Sequence, residues 1–514
     1  MKKNLELVKN RLDISGKAFF GFAAFSAVFI AGCLVMMTPV FRDFLIALGG
    51  SLRRRPLNYT VWFNQIFLWG MTGIILYGVC FLVFFAKNIF RKTCSGKQVW
   101  LFLAAFIALG VCAIMFRANW TFSDDHAFIK TTAINKYSPP ILSGGRFYPL
   151  GHIHDNIPLV VFRLLGIHSG PPPSAHYTLI ALFFAVTAVC LYLLFEKIVK
   201  ESGGAHPLFA LFFACSFFVT GSAFPQIFMS LIFPETPLIM LFAVFMLVFY
   251  KARETDKTRY YIAAFLAAGY ASYCKEPVFG AFLVIAVANY IFNFKNQSEK
   301  EKLFHAALIV NGIIFPILYY LLSYRNATGF YNEGRVASGV LRFIVSIFVK
   351  NPALILMYVF GFTRFLTVVF KKDRAHIFCD TLLFAGMAYV FAYILLRLDA
   401  DYYFMPAIIF SMPSLVFWTC DVYRKNRNRA LAAFGLLLIL FTFNGRGVAG
   451  VDGIYRDRRE FMPYISRLLE DYRAGKKFIW YESDNRISEN TFYIAVRNWK
   501  KHIENAFLNF QNKT

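Results

Sequence analysis

The chain has 514 residues, of which 58% are hydrophobic and only 16% charged, with 62 phenylalanines and a mean hydropathy of +0.53. A soluble fold of this length cannot hide so much apolar surface, so soluble globular, disordered and disulfide-scaffold classes are excluded, and lipid is the solvent for most of the chain. The net charge of +25 would suggest nucleic acid in a soluble protein; here the basic residues belong in short loops that orient membrane helices, and no nucleic-acid partner is expected.

A helix needs about 20 apolar residues to cross the hydrocarbon core. In chain order, such runs fall near 18–37, 60–86, 99–116, 174–195, 206–221, 237–250, 260–273, 277–294, 303–323, 352–370, 377–396, 402–419 and 430–444. The expected fold is an all-α polytopic membrane protein of about 13 transmembrane helices. Residues 1–98 hold two N-terminal spans, and 99–444 form the main membrane domain with a long polar loop at 117–173. Residues 324–351 include an interfacial amphipathic stretch from Val340 to Lys350. The tail, 445–514, reads as a small α/β unit, with helical periodicity from Arg459 to Tyr472 and a short strand from Lys477 to Tyr481.

With the N-terminus cytoplasmic, the inside loops are roughly three times denser in Lys and Arg than the outside loops. This places 117–173 and the C-terminal tail on the extracytoplasmic side, with Arg53, Arg54 and Arg55 as a local conflict. The first run is too long for a signal-peptide core and is read as retained. The nine cysteines form no CxxC pair and sit mostly in apolar runs, which makes them small core residues.

The chemistry-bearing residues gather at the outside ends of these spans. Just after the third span stands Trp120-Thr121-Phe122-Ser123-Asp124-Asp125-His126. Two adjacent carboxylates repel, and each needs a cation, a metal or solvent nearby. At the interface they ionise at less cost than at the bilayer centre; a solvated helix cap is the bland alternative. Twenty residues on comes Gly144-Gly145-Arg146-Phe147-Tyr148-Pro149-Leu150-Gly151-His152-Ile153-His154-Asp155. Glycine and proline force turns there, and Arg146, His152, His154 and Asp155 are candidates for an anionic or sugar ligand. On a strand, His152 and His154 would share a face, as in a metal site; hydrogen-bonded structural histidines are the other reading.

Three further features share that side. Pro234-Glu235-Thr236-Pro237 opens one span, Tyr273-Cys274-Lys275-Glu276-Pro277 joins two spans, and Arg397-Leu398-Asp399-Ala400-Asp401-Tyr402-Tyr403 joins two later ones. Each alone fits ordinary helix-end electrostatics or snorkelling. Together they suggest a cluster of carboxylates and cations in one leaflet.

At these residues the chain resembles the GT-C superfamily of multispanning glycosyltransferases, which includes protein O-mannosyltransferases and the aminoarabinose transferases of lipid A. Asp124-Asp125 matches the family's early extracytoplasmic acidic motif, and Glu235 the acid that opens a later span. Lys275-Glu276-Pro277 resembles its Lys-Pro element, and Asp401-Tyr402-Tyr403-Phe404-Met405-Pro406 its late Asp-Tyr-Tyr-x-x-Pro pattern. The likeness runs over roughly residues 99–420. It is that of a divergent member, because two spans precede the acidic loop and the Gly-Gly-Arg-Phe segment has no counterpart.

The resemblance implies a glycosyltransferase that takes a sugar from a polyprenyl-phosphate carrier and passes it, with inversion, to a lipid, glycan or protein acceptor. It implies Asp124 or Asp125 as general base and Lys275, Arg397 and Arg146 as cations on the donor phosphate. His126, His152, His154, Asp155, Glu235, Glu276, Asp399, Asp401 and Tyr402 are then substrate-binding candidates. No cofactor is required, and a divalent metal at Asp124, Asp125, His152 and His154 stays open. A bacterial inner membrane is the expected location. Two other classes fit the composition: a transporter or flippase of a lipid-linked or anionic solute, for which Arg364 inside a span is the main argument, and a glycan polymerase or ligase.

Overall fold

The computed structural model describes residues 136–171 apart from 139, 143–144 and 169; 173–202; 234–326; and 351–426 apart from 374–375, 397 and 399. It also describes scattered positions between 28 and 47, at 223 and 227, and between 344 and 348. The first three spans read from the sequence, the run at 206–221, the run at 430–444 and the tail, with its expected strand, fall largely or wholly outside these residues.

Nine α-helices carry the described part: α1 (Asn156–Leu164), α2 (Pro173–Ser202), α3 (Glu235–Thr255), α4 (Thr258–Ser272), α5 (Val278–Asn293), α6 (Glu299–Leu322), α7 (Pro352–Phe370), α8 (Ile377–Leu396) and α9 (Met405–Lys425). Among the described residues no strand occurs beyond a single bridge between Ile141 and Tyr148. All but α1 and α4 are long and apolar enough to cross a membrane, α5 together with the 3-10 turn that continues it to Asn296, which makes seven candidate spans among the described residues. The chain is thus a multi-pass helical membrane protein.

Reading each chain direction in turn, the starts of α2, α3, α5, α7 and α9 lie with the ends of α4, α6 and α8, and residues 136–155 pack against them. This is called the loop end, and the other the far end. At 15 residues, α4 extends about 22 Å, whereas a helix of α3's length extends about 32 Å. The sequence reads 260–273 as one more span, but α4 falls short of the ~30 Å hydrocarbon core on its own. At the loop end the 145–155 segment packs on the 273–277 turn that follows α4.

The core is built around α9, most of which is buried, packed against α2, α3, α7 and α8. Phe242 of α3 stacks on Phe410 of α9 with ring centroids 4.1 Å apart, and Phe282 of α5 stands edge-on to Phe245 at 4.8 Å. Gly386 lets α8 approach α9, since a Cβ there would lie 2.8 Å from the Ala407 carbonyl oxygen. Lipid tails are as apolar as these side chains, so close van der Waals packing and interhelical hydrogen bonds must hold the helices together. Asn289 of α5 makes one such bond, donating to Thr381 of α8 at 3.2 Å.

Arg364 lies three residues past the middle of α7, about 4.5 Å along the helix axis, and is fully paired there. Its Nε and one Nη bond both carboxylate oxygens of Asp380 at 2.9 and 2.8 Å, and the other Nη reaches Asp373 at 3.2 Å. A bidentate pair with a carboxylate of the neighbouring helix meets the cost of a charge in a span without any transport role.

Candidate functional site

The loop end brings together residues far apart in the sequence. Lys275, in the turn between α4 and α5, places Nζ 2.9 Å from Glu235 Oε1, at the first residue of α3; their side chains are 6% and 0% exposed. Glu235 is favoured there by the partial positive charge of the helix N-terminus. Beside this pair, Arg146 Nε donates to Glu276 Oε1 at 3.2 Å, and the Phe147 backbone N–H donates to the same oxygen at 3.0 Å. One glutamate thereby ties the 145–155 segment to the start of α5.

Tyrosines surround these charges. The Arg146 guanidinium lies 5.0 Å from the centre of the Tyr148 ring, and Lys275 Nζ lies 5.6 Å from Tyr148 and 4.9 Å from Tyr403. Cation–π attraction strengthens where water is excluded. Tyr403 is itself fixed by stacking on Tyr393 at 4.6 Å.

The segment is anchored along its whole length. Leu150 N–H donates to the Tyr273 carbonyl at 3.1 Å. Gly151 passes so close to the turn that a Cβ would lie 2.7 Å from the Cys274 carbonyl oxygen and 2.8 Å from the Tyr148 ring. From α6, Tyr319 donates to the Gly145 carbonyl at 3.0 Å and Ser323 to the Arg146 carbonyl at 2.9 Å. Phe147 is buried among Tyr273, Phe315 and Tyr319.

Charge states follow from these contacts. Burial opposes the Lys275 ammonium, but the Glu235 carboxylate, with Tyr403 and Glu276, more than compensates and holds its pKa above the ordinary lysine value. Burial likewise opposes the Arg146 charge, and Glu276 outweighs it, so the pKa ends higher. Burial raises the Tyr148 phenol against the pull of Arg146 and Lys275, which keeps it protonated. The site therefore holds two fixed cations, each matched by a carboxylate, beside the protonated Tyr148 phenol.

The HxHD stretch corrects the sequence reading. It forms a 3-10 turn, Ile153–Asp155, and not a strand. Asp155 joins both histidines all the same, with Oδ2 3.1 Å from His152 Nδ1 and Oδ1 3.3 Å from His154 Nε2. All three side chains are buried. Burial drives the His154 pKa below the ordinary histidine value despite Asp155. Neither His154 ring nitrogen forms a hydrogen bond of good geometry. Among the described residues no group of three or more His, Cys, Asp and Glu is arranged to hold a metal ion; Asp124 and Asp125 lie outside them.

Of the candidates read from sequence, the fold gathers Arg146, Glu235, Lys275 and Glu276 in one network, with His152, His154 and Asp155 a few residues along the same segment. Tyr402 is partly exposed, with its ring 4.3 Å from that of Tyr403. Asp401 begins a 3-10 turn, Asp401–Phe404. Asp124, Asp125, His126, Arg397 and Asp399 lie outside the described residues. Sequence reasoning missed Tyr148, Tyr403, Tyr319 and Ser323. The Tyr402-Tyr403 doublet was visible, but which ring turns inward depends on the 3-10 turn.

The family model for dolichyl-phosphate-mannose-protein mannosyltransferases matches residues 170–320. Residues 170–320 are similar to GT-C glycosyltransferases. That stretch runs from just before α2 nearly to the end of α6 and includes Glu235, Lys275 and Glu276. No curated protein sequence is significantly similar to the chain. Among solved structures, ArnT from Cupriavidus metallidurans aligns over 71% of this chain and 78% of its own in the apo state, with 11% identity and a TM-score of 0.43. ArnT bound to undecaprenyl phosphate aligns over 71% and 79%, with 11% identity and a TM-score of 0.44. The oligosaccharyltransferase AglB from Archaeoglobus fulgidus, in complex with an inhibitory peptide and a dolichol-phosphate, aligns over 70% of this chain and 56% of its own, with 12% identity and a TM-score of 0.33.

Proposed function

We propose that the chain is a GT-C-type membrane glycosyltransferase that moves a sugar from a polyprenyl-phosphate carrier to a lipid, glycan or protein acceptor at the extracytoplasmic face. The observation that carries this reading is the loop-end network, in which Lys275 and Arg146 are held charged beside Glu235, Glu276 and two tyrosines. The family match over 170–320 supports it.

A polyprenyl tail cannot leave the bilayer, so donor and polar acceptor meet only at the membrane interface. In the reaction the acceptor oxygen bonds to the anomeric carbon as the bond from that carbon to the phosphate oxygen breaks. The electron pair leaves with the polyprenyl phosphate, and the acceptor proton passes to Asp124 or Asp125. A single displacement inverts the anomeric configuration. The leaving phosphate is a stable anion and calls for preorganised cations more than for an acid; Lys275, Arg146 and Arg397 have this role. Glu235 and Glu276 hold Lys275 and Arg146 at fixed positions before the donor arrives. Proton transfer to a positioned carboxylate contributes about 10²–10⁴-fold.

The test uses purified protein in nanodiscs with polyprenyl-phosphate sugars, measuring release of polyprenyl phosphate and labelling of an acceptor extract. Wild type turns over at least one donor, while Asp124→Asn or Asp125→Asn stops transfer. Full transfer by both variants removes the base assignment, and no turnover of any donor by folded wild type removes the reading itself.

A further inference from the structure

In the far half of the bundle, a cavity of about 360 Å³ opens between the C-terminal parts of α2 and α9, the second half of α7 with the turn that follows it, and the first turn of α8. It is remote from the Lys275 network and has no part in the proposed transfer. Carboxylates of Glu201, Asp373, Asp380 and Asp421 line it, together with the rings of Phe360, Phe417 and Trp418. Its cations are Arg364, Arg424 and Lys425. Arg424 and Lys425 both bond Asp421, at 2.9 and 2.6 Å, on its rim, and Arg364 is held by Asp380 and Asp373.

The balance of this lining selects a ligand class. Four acids stand against three Arg and Lys side chains, and the C-termini of α2 and α9 add partial negative charge, so a lone anion is disfavoured. A bare metal ion lacks a ligand set among the described residues. A group carrying both an ammonium and a phosphate satisfies the two halves. The ammonium sits between the acids and the aromatic faces, and the phosphate meets Arg424 and Lys425 at the mouth, where both side chains are largely exposed.

The source of such a group is set by where the cavity opens. Trp418 is 42% exposed beside it, and Phe362 and Phe370 of α7 are 59% and 76% exposed. An exposed tryptophan near the end of a spanning helix marks headgroup depth, and the bare rings of α7 offer a track for acyl chains. We infer that this cavity binds the headgroup of an ethanolamine phospholipid from the leaflet opposite the loop end.

The test is lipid retention by the full-length protein. Protein purified in mild detergent is exchanged into equimolar phosphatidylethanolamine, phosphatidylcholine and phosphatidylglycerol, and bound lipid is read by native mass spectrometry. Wild type retains phosphatidylethanolamine over each of the others by about tenfold, equivalent to about 1.4 kcal/mol. Trp418→Ala and Asp373→Asn reduce that preference at least about threefold, while Glu299→Gln, at the same end but outside the cavity, leaves it unchanged. Equal retention of the three lipids by wild type overturns the inference, whether or not the variants fold. So does a preference that survives both cavity variants. Displacement of the lipid by soluble phosphoethanolamine at equal concentration would overturn the lipid source.

Discussion

Both ends of the helix bundle bury charge, but they do so differently. At the far end the pairs join helices directly: Arg364 of α7 to Asp380 in the first turn of α8, and Arg253 in the last turn of α3 to Glu301 in the first turn of α6 at 3.0 Å. In the second pair a cation in the last turn of one helix faces an acid in the first turn of another, which helix dipoles favour, and neither pair depends on a loop to hold it. At the loop end, Lys275 and Arg146 come from non-helical segments, their carboxylates open α3 and precede α5, and a 145–155 segment is threaded over them by contacts to α6. Holding a lysine 6% exposed in a turn between two helices takes many anchoring contacts. The contrast teaches that pairing alone does not mark a site; pairing held in place by dedicated loop anchoring does.

The largest effect expected is on catalysis. Asp124→Asn or Asp125→Asn lowers the rate of sugar transfer by about 10²–10⁴-fold while thermal stability changes little; a base whose removal unfolded the protein would instead be structural. Next comes the Lys275–Glu235 pair. Lys275→Met or Glu235→Leu alone leaves a buried charge unpaired and costs about 3–5 kcal/mol, whereas the double replacement recovers most of that stability. Measured by unfolding in detergent, the double variant is folded yet inactive. An active double variant would show that the pair is structural and would erase the distinction between the two ends.

Smaller effects sharpen the comparison. Gly151→Ala drives a methyl group into the Cys274 carbonyl, and overpacking of this kind costs about 1–3 kcal/mol; activity falls with it because the segment lifts from Lys275. Glu301→Gln at the far end weakens the Arg253 contact and lowers the melting temperature, with transfer unchanged per folded molecule. The smallest effect is on pH dependence. Burial depresses the His154 pKa in the folded state, so the unfolded chain binds this proton first. Stability is full above about pH 6.5 and declines as the pH falls below it, by at most about 1.4 kcal/mol per pH unit. His154→Gln removes that part of the slope.

Much of the membrane fold is legible along the chain. The apolar runs at 352–370 and 377–396 coincide with α7 and α8, because twenty apolar residues in lipid leave the backbone no option but a helix. The segment 156–164 reads as part of a loop but folds as α1, since Asn156 is fixed by reciprocal bonds to the Ser138 backbone at 2.6 and 3.1 Å. Within the site, residue types were legible and partnerships were not. Lys275 and Glu235 each stood out as charges at helix ends. Nothing local links Arg146 to Glu276, 130 residues away, because that contact exists only once the 145–155 segment packs on the turn between α4 and α5. The HxHD spacing misled for a related reason: period-two logic holds for strands, and a 3-10 turn brings both histidines to Asp155 by another geometry.

The most direct test of the central claim is a donor-turnover assay on Lys275→Met/Glu235→Leu compared with wild type, in the same nanodiscs and at matched folded fraction. Loss of polyprenyl-phosphate release by a stably folded double variant is the result this account predicts. Release at the wild-type rate would mean that the buried cation has no part in holding the phosphate, and the site would have to be sought elsewhere in the chain.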